Sequence, residues 1–478
     1  MNSVRIKLLK STFLPKITFI ICLLLSCHLP STIAASELRV SLEGEVLSIT
    51  AEKIPLQTIL LELVRNGVTV KIDPRINPLI TANFKNRPVE QALETLLKPA
   101  SYSLLWEARS DISKNDKILL AEIQVFQSER KYLMKPLMPK RTLGIAKNRA
   151  GVFYVKGEIL LYLPLGSDLQ ELEKILQAYG ATLVYSGSLP SPAKILLPLN
   201  SDIFGIAKEI KDKLTLDISQ PNYAYPLPPP VVDGFVSQKT DVDASLYAPA
   251  NNSVAIAILD SGLADNAELE KFVMSSFDVM NPDAPITDTL GHGTQMAYIA
   301  SGIVKPYGSA DNESYIPIIP IRAFDDNGYT SDLNILDSIN FALANNARVM
   351  SLSWGSETKS DFMEKAFEYA KTQGLVIVAS AGNNPTGKPV YPAAYSSVIG
   401  VGALGPHGKT WENSNYGNFV ALYAPGFANL PVGHKGEPGM YAGTSISAAL
   451  VANSIASYLS ENPAATSKEI QDFLNNKY

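Results

Sequence analysis

Four short fragments in the second half of the chain hold residue types that together can transfer an acyl group. Asp260 closes the apolar run Val254-Ala255-Ile256-Ala257-Ile258-Leu259 and precedes Ser261-Gly262. His292 lies in Gly291-His292-Gly293-Thr294, and Asn383 follows Ala379-Ser380-Ala381-Gly382. Ser445 stands in Gly443-Thr444-Ser445-Ile446-Ser447-Ala448-Ala449. A serine hydroxyl attacks a carbonyl carbon efficiently only when a base takes its proton. An imidazole base in turn needs a carboxylate to fix its tautomer and its aim. Asp260, His292 and Ser445 are the candidates for those roles. The Ser445 N–H and the Asn383 side-chain amide would then hold the oxyanion, a contribution of roughly 10²–10³ in rate per donor.

Taken singly, Asp-Ser-Gly after a strand is usually a turn, Gly-Thr-Ser a helix cap and Gly-Asn-Asn a loop. Histidine is scarcer: of four in the chain, only His292, His407 and His434 lie beyond residue 35. Local context favours chemistry. Gly291 and Gly293 remove side-chain bulk on either side of His292, where backbone and substrate must approach. Gly443-Thr444 puts Ser445 at a helix start, where free N–H groups favour developing negative charge.

The elements that must position these groups are legible as an alternation of apolar strands and amphipathic helices. Strands are expected at 254–259, 316–321, 349–353, 375–380 and 398–402, and helices at 292–302, 332–346, 360–373 and 444–460. Near-continuous β-branched strands between helices imply an α/β fold, a parallel sheet covered on both faces. Such sheets place their sites beyond the carboxyl ends of the strands, where Asp260 and Asn383 fall.

The four fragments, in the order Asp…His…Ser, resemble the subtilisin-like serine peptidases. The resemblance implies peptide-bond hydrolysis on protein or peptide substrates by a catalytic domain at 251–478. It implies that Ser351, Leu352, Ser353, Trp354 and Gly355 pair with extended substrate as an added strand. It also implies that Ala379, Ser380, Ala381 and Gly382 wall the pocket before the cut bond. Calcium accompanies the family, but no acidic cluster marks a metal site, and no cofactor is assigned. The chain departs from the family after Ser445, where Ile446-Ser447-Ala448-Ala449-Leu450 replaces Met-Ala-x-Pro-His. That change touches helix packing more than proton transfer.

Two small α+β regions precede this domain. Residues 158–225 read as strand, helix, two strands, helix, strand, ending in Gln220-Pro221-Asn222-Tyr223-Ala224-Tyr225. They resemble the inhibitory prodomain of subtilisin-like proteases, which implies a self-processing zymogen held by its own prodomain. The Pro-rich and polar stretch 226–250 reads as a linker. Residues 37–126 carry apolar residues at helical spacing after Pro55 and Pro88, between alternating strands. This region resembles the short N-terminal domain of secretins and TonB-dependent receptors, which implies docking to an envelope protein. Between the two regions, 127–157 is basic and interrupted by Pro136, Pro139 and Gly144, and reads as a solvated linker.

At the N-terminus, Arg5, Lys7, Lys10 and Lys16 precede a short apolar run, and Ala34 and Ala35 offer cleavage, so 1–35 reads as a signal peptide. A lipid anchor on Cys27 is the second reading. Both cysteines, Cys22 and Cys27, lie in this leader, so the mature protein cannot be disulfide-stapled. Export to a bacterial periplasm, outer membrane or medium follows as the expected location. The 478 residues suit about three domains. An apolar content of 46% supports real cores, and a net charge of −5 gives no field for nucleic acid. The functional expectation is an exported serine endopeptidase. The alternative is an envelope docking or signalling protein carrying a degenerate protease domain.

Overall fold

The computed structural model describes residues 38–109, 117–137, 142–186, 191–232, 248–249, 253–282, 284–309, 314–434 and 438–478. The leader expected at 1–35 and most of the linker expected at 226–250 lie outside the described residues. The chain divides into two compact units, 1–137 and 138–478.

In the first unit both helices begin directly after a proline, whose missing N–H costs nothing where no intrahelical acceptor exists. Helix Leu56–Arg65 buries Leu56, Ile59, Leu60 and Leu63, and helix Val89–Leu97 buries Val89, Ala92, Leu93 and Leu96. These stripes close over Leu47, Ile49, Val70, Ile123 and Val125. The strands form two sheets, one antiparallel and three-stranded (Arg39–Glu43, Val46–Pro55, Leu79–Pro88). The other runs Ser101–Arg109, Lys117–Phe126, Thr69–Ile72, Lys135–Pro136. Among the described residues no helix is long and apolar enough to cross a membrane.

The second unit opens with strand Phe153–Leu163, helix Leu169–Ala178, strands Thr182–Ser186 and Ser191–Leu196, helix Ile203–Lys213 and strand Ser219–Pro226. One expectation needs correction: 127–157 is not a plain linker. Strand Ile145–Lys147 folds back on Phe153–Leu163, and the Asn148 carboxamide oxygen closes the turn by accepting from the N–H groups of Ala150 and Val152. Prolines and a glycine exclude a helix there but leave a strand open, and the Lys147 ammonium rests 4.7 Å above the Phe153 ring.

The largest sheet has seven strands, all parallel, in the order Phe277–Asp278, Ile318–Arg322, Ile256–Asp260, Val349–Leu352, Val376–Ser380, Val398–Leu404, Leu422–Pro425, and a two-stranded antiparallel sheet, Phe427–Leu430 with Gly439–Ala442, stands apart from it. The two edge strands were not expected, because runs this short carry no period. Helices His292–Ala300 and Thr444–Glu461 cover one face, and helices Asp332–Ala344 and Asp361–Thr372 cover the other. Strand Ile256–Asp260 shows why the sheet is apolar throughout. Ile256 and Ile258 enter one core, and Ala257 and Leu259 enter the other.

Candidate active site

Asp260 is the last residue of its strand and is 1% exposed. Its carbonyl accepts from the Ala323 N–H at 2.9 Å, which fixes the backbone, and its Oδ1 accepts from the Ser261 N–H at 2.7 Å. The same Oδ1 lies 2.7 Å from His292 Nδ1. A buried carboxylate at that distance holds the N–H on Nδ1 and leaves Nε2 as the basic nitrogen.

His292 opens helix His292–Ala300, and the loop before it is tied by a residue the sequence reading passed over. Asp288 Oδ1 accepts from the N–H groups of Leu290 and Gly291, and Oδ2 accepts from the N–H and hydroxyl of Thr294. An aspartate three residues ahead of Gly-His is a local turn-and-cap signal that could have been read. The two flanking glycines are sterically required. A Cβ on Gly291, at φ 87°, would come within 2.1 Å of the Gly433 carbonyl, and one on Gly293 within 2.4 Å of the Gly262 carbonyl.

Ser445 is the second residue of helix Thr444–Glu461. Its hydroxyl donates to the Ser353 carbonyl at 3.0 Å, and Ser353 Oγ donates back to the Ser445 carbonyl at 3.3 Å. The structure therefore brings Asp260 and His292 into direct contact and places the Ser445 hydroxyl on the Ser353 carbonyl. The residues that depart from the family after Ser445 are all buried, with Ile446, Ala448, Ala449 and Leu450 in the core and Ser447 Oγ donating to the Ala424 carbonyl.

Asn383 lies beyond the carboxyl end of strand Val376–Ser380. Its Oδ1 accepts from both the N–H and the hydroxyl of Thr444, each at 2.9 Å. An N–H can only donate, so these bonds settle which end of the carboxamide is oxygen and leave Nδ2 as the donor end. A Cβ on Gly443 would lie 3.4 Å from that Nδ2, which places the amide beside the start of the Ser445 helix.

The expected substrate residues divide. Ser351, Leu352 and Ala379 belong to the core rather than to a rim, each at most 1% exposed. Their main chain already pairs with parallel neighbours within the sheet, Ser351 with Ile258 and Val378, and Leu352 with Leu259 and Ala379. No edge is open there. Ser353 follows the end of that strand, and Gly355 lies past it. Trp354 is buried against Tyr225 and Phe324, and Ser380 and Ala381 are buried, so Gly382 is the half-exposed member of its group.

One neighbour was not anticipated. The buried His434 ring lies 4.9 Å, centroid to centroid, from the His292 ring at 57°. A cavity of about 270 Å³, lined by Arg348, Lys371, Val376, Ser397, Ile399 and Ile470 among others, sits at the opposite, amino-terminal end of the strands and holds none of these groups. Among the described residues, no group of three or more His, Cys, Asp or Glu could form a metal cage.

Residues 251–478 match the family profile described as Subtilase family. The "Thermophilic serine proteinase" of Bacillus sp. (strain AK1) is 28% identical over 303 residues, which cover 60% of this chain and 74% of the relative. "Thermitase" of Thermoactinomyces vulgaris is 30% identical over 191 residues, 40% of this chain and 68% of the relative. Among solved structures, fervidolysin from Fervidobacterium pennivorans, described as "a keratinolytic enzyme related to subtilisin", superposes with a TM-score of 0.53 at 25% identity. That match covers 71% of this chain and 60% of fervidolysin.

Proposed function

The chain belongs to the subtilase family and is a subtilisin-like serine peptidase, and on that premise we propose that Ser445, His292 and Asp260 are its reacting residues. The observation that carries this reading is the 2.7 Å contact between the buried Asp260 carboxylate and the His292 imidazole, on a helix that shares one core with the serine-bearing helix Thr444–Glu461. His292 Nε2 takes the Ser445 proton as Oγ bonds to the peptide carbonyl carbon. The Ser445 N–H and Asn383 Nδ2 hold the oxyanion. His292 then gives the proton to the leaving nitrogen as the C–N bond breaks, and water repeats the sequence on the acyl-enzyme. Asp260 keeps the imidazole in the tautomer both steps need.

We further read residues 158–225 as an inhibitory prodomain, and include with it the preceding strand Ile145–Lys147 that pairs with its first strand. Strand Ser219–Pro226 pairs with strand Tyr329–Ser331 of the catalytic domain, so one sheet runs through both. Leu160, Ile218 and Tyr225 join the catalytic domain's core cluster. Residues 38–137, with a core of their own, suit a docking module for an envelope partner, and the basic, apolar leader suits export. Retention of the Asp260–His292 geometry and the oriented Asn383 favours an active enzyme over a degenerate one.

The direct test is Ser445→Ala, purified beside the wild type. The variant is expected to accumulate as unprocessed precursor and to lose hydrolysis of unfolded casein. A variant that still processes and hydrolyses at the wild-type rate sinks the assignment.

A further inference from the structure

The main chain between the α+β region and the catalytic domain is pinned at two points, the second of them three residues ahead of Ser445. The Leu227 N–H donates to the Gly328 carbonyl at 2.8 Å, just before strand Tyr329–Ser331. Four residues later the Val231 carbonyl accepts from the Ala442 N–H at 3.0 Å, and Val232 bridges Tyr441 in antiparallel register. Ala442 ends the strand that leads through Gly443 and Thr444 into Ser445. The three residues spanning the interval are all proline: Pro228, Pro229 and Pro230. Ser445 and His292 below are only 6% and 5% exposed.

We propose that residues 227–231 are a strap across the cleft that the enzyme cannot cut, so that self-processing must fall elsewhere in the chain. This rests on the reading of Ser445 as nucleophile. A bound peptide is held for cleavage as an added strand, and each such bond from the peptide needs an N–H; three consecutive prolines supply none. The Ser353 carbonyl, just past strand Val349–Leu352, correspondingly accepts from the Ser445 hydroxyl itself. An ordinary residue in the strap would offer a main-chain N–H where proline offers none. Burial agrees: Pro228 is half-buried and Pro229 and Pro230 are exposed, so the strap arches between its two anchors without inserting a side chain. In this account the prolines do two jobs, closing the cleft of the uncleaved chain and protecting the closure from the site it covers.

The experiment compares the full-length wild type with the triple variant Pro228→Ala/Pro229→Ala/Pro230→Ala and the single variants P229A and P230A. Pro229 and Pro230 are exposed, so the single variants retain the fold. N-terminal sequencing and intact mass locate every cut, with casein hydrolysis measured in parallel. The wild type is expected to show no end within 227–232, and the alanine variants are expected to gain one there. A wild-type end within 227–232 overturns the inference alone. So do alanine variants that hydrolyse casein yet gain no cut in the strap. Variants that neither hydrolyse casein nor cut themselves overturn the protease reading, and this inference with it.

Discussion

The two small α+β regions share an element order and differ in where their apolar surface goes. In residues 38–137 the two helices and the strands bury their stripes against one another, and the cluster contains nothing from beyond the unit. In residues 142–226 a comparable core forms around Ile159, Leu161, Ile175, Ile195 and Ile206, but Leu160, Ile218 and Tyr225 face the catalytic domain instead. One long strand of each region shows the difference most plainly. Lys117–Phe126 pairs inside its own sheet, whereas Ser219–Pro226 is the seam between two domains.

Polar chemistry follows the same division. At the seam, the Asp332 carboxylate is fully buried and accepts from Gln220 Nε2 at 3.0 Å, Tyr225 Oη at 2.5 Å and Ser360 Oγ at 2.8 Å. Burial pushes this carboxyl up to about 7, against the pull of those three donors, and burial also pushes Asp337 on the same helix up to about 6, opposed by Lys194. The first unit has a buried carboxylate of the opposite kind. Arg75 grips Asp73 with two bonds and holds it below the usual carboxylate range. One region is built to stand alone, and the other is built around groups that change charge near neutral pH.

The largest effect that would sharpen this contrast is Leu60→Ala in the first unit. A fully buried leucine cut to alanine costs about 2–5 kcal/mol. The first unit's thermal transition is expected to fall while that of the second, and casein hydrolysis, stay unchanged. A matching fall in the second transition would break the comparison, since it would mean the first region is not energetically autonomous.

A smaller effect is expected from Asp332→Asn. A carboxyl raised in the folded state adds stability that is complete below its ordinary value and lost as pH rises through about 7. The urea midpoint of the second unit should therefore decline between pH 4 and pH 8 in the wild type. In the variant the decline should shrink to the part set by Asp337, which ends near pH 6. An unchanged slope would show that the seam does not titrate through Asp332.

What was legible in the sequence was whatever a short window carries. The Asp, His, Asn and Ser fragments sat at strand ends and helix starts because apolar runs, glycines and caps mark those places locally. The element orders of both small regions followed from period and from Pro55, Pro88 and Gly180 in the same way. Position within the sheet was not legible: Ser351 and Leu352 looked like a binding edge until their main chain proved paired on both sides. Long-range meetings were hidden as well. His434 approaches His292 across 142 positions, and the strap's two anchors are 101 and 211 residues from their partners (227 to 328, and 231 to 442). No local pattern encodes such pairings, because they are settled by tertiary packing.

The most direct measurement is the site of covalent attachment of a fluorophosphonate, mapped by peptide mass spectrometry in the processed wild type and in His292→Ala. The account predicts a single adduct on Ser445 in the wild type and its loss in the variant, because without the imidazole nothing takes the hydroxyl proton. An adduct on another serine, or labelling of Ser445 at an undiminished rate without His292, would contradict it.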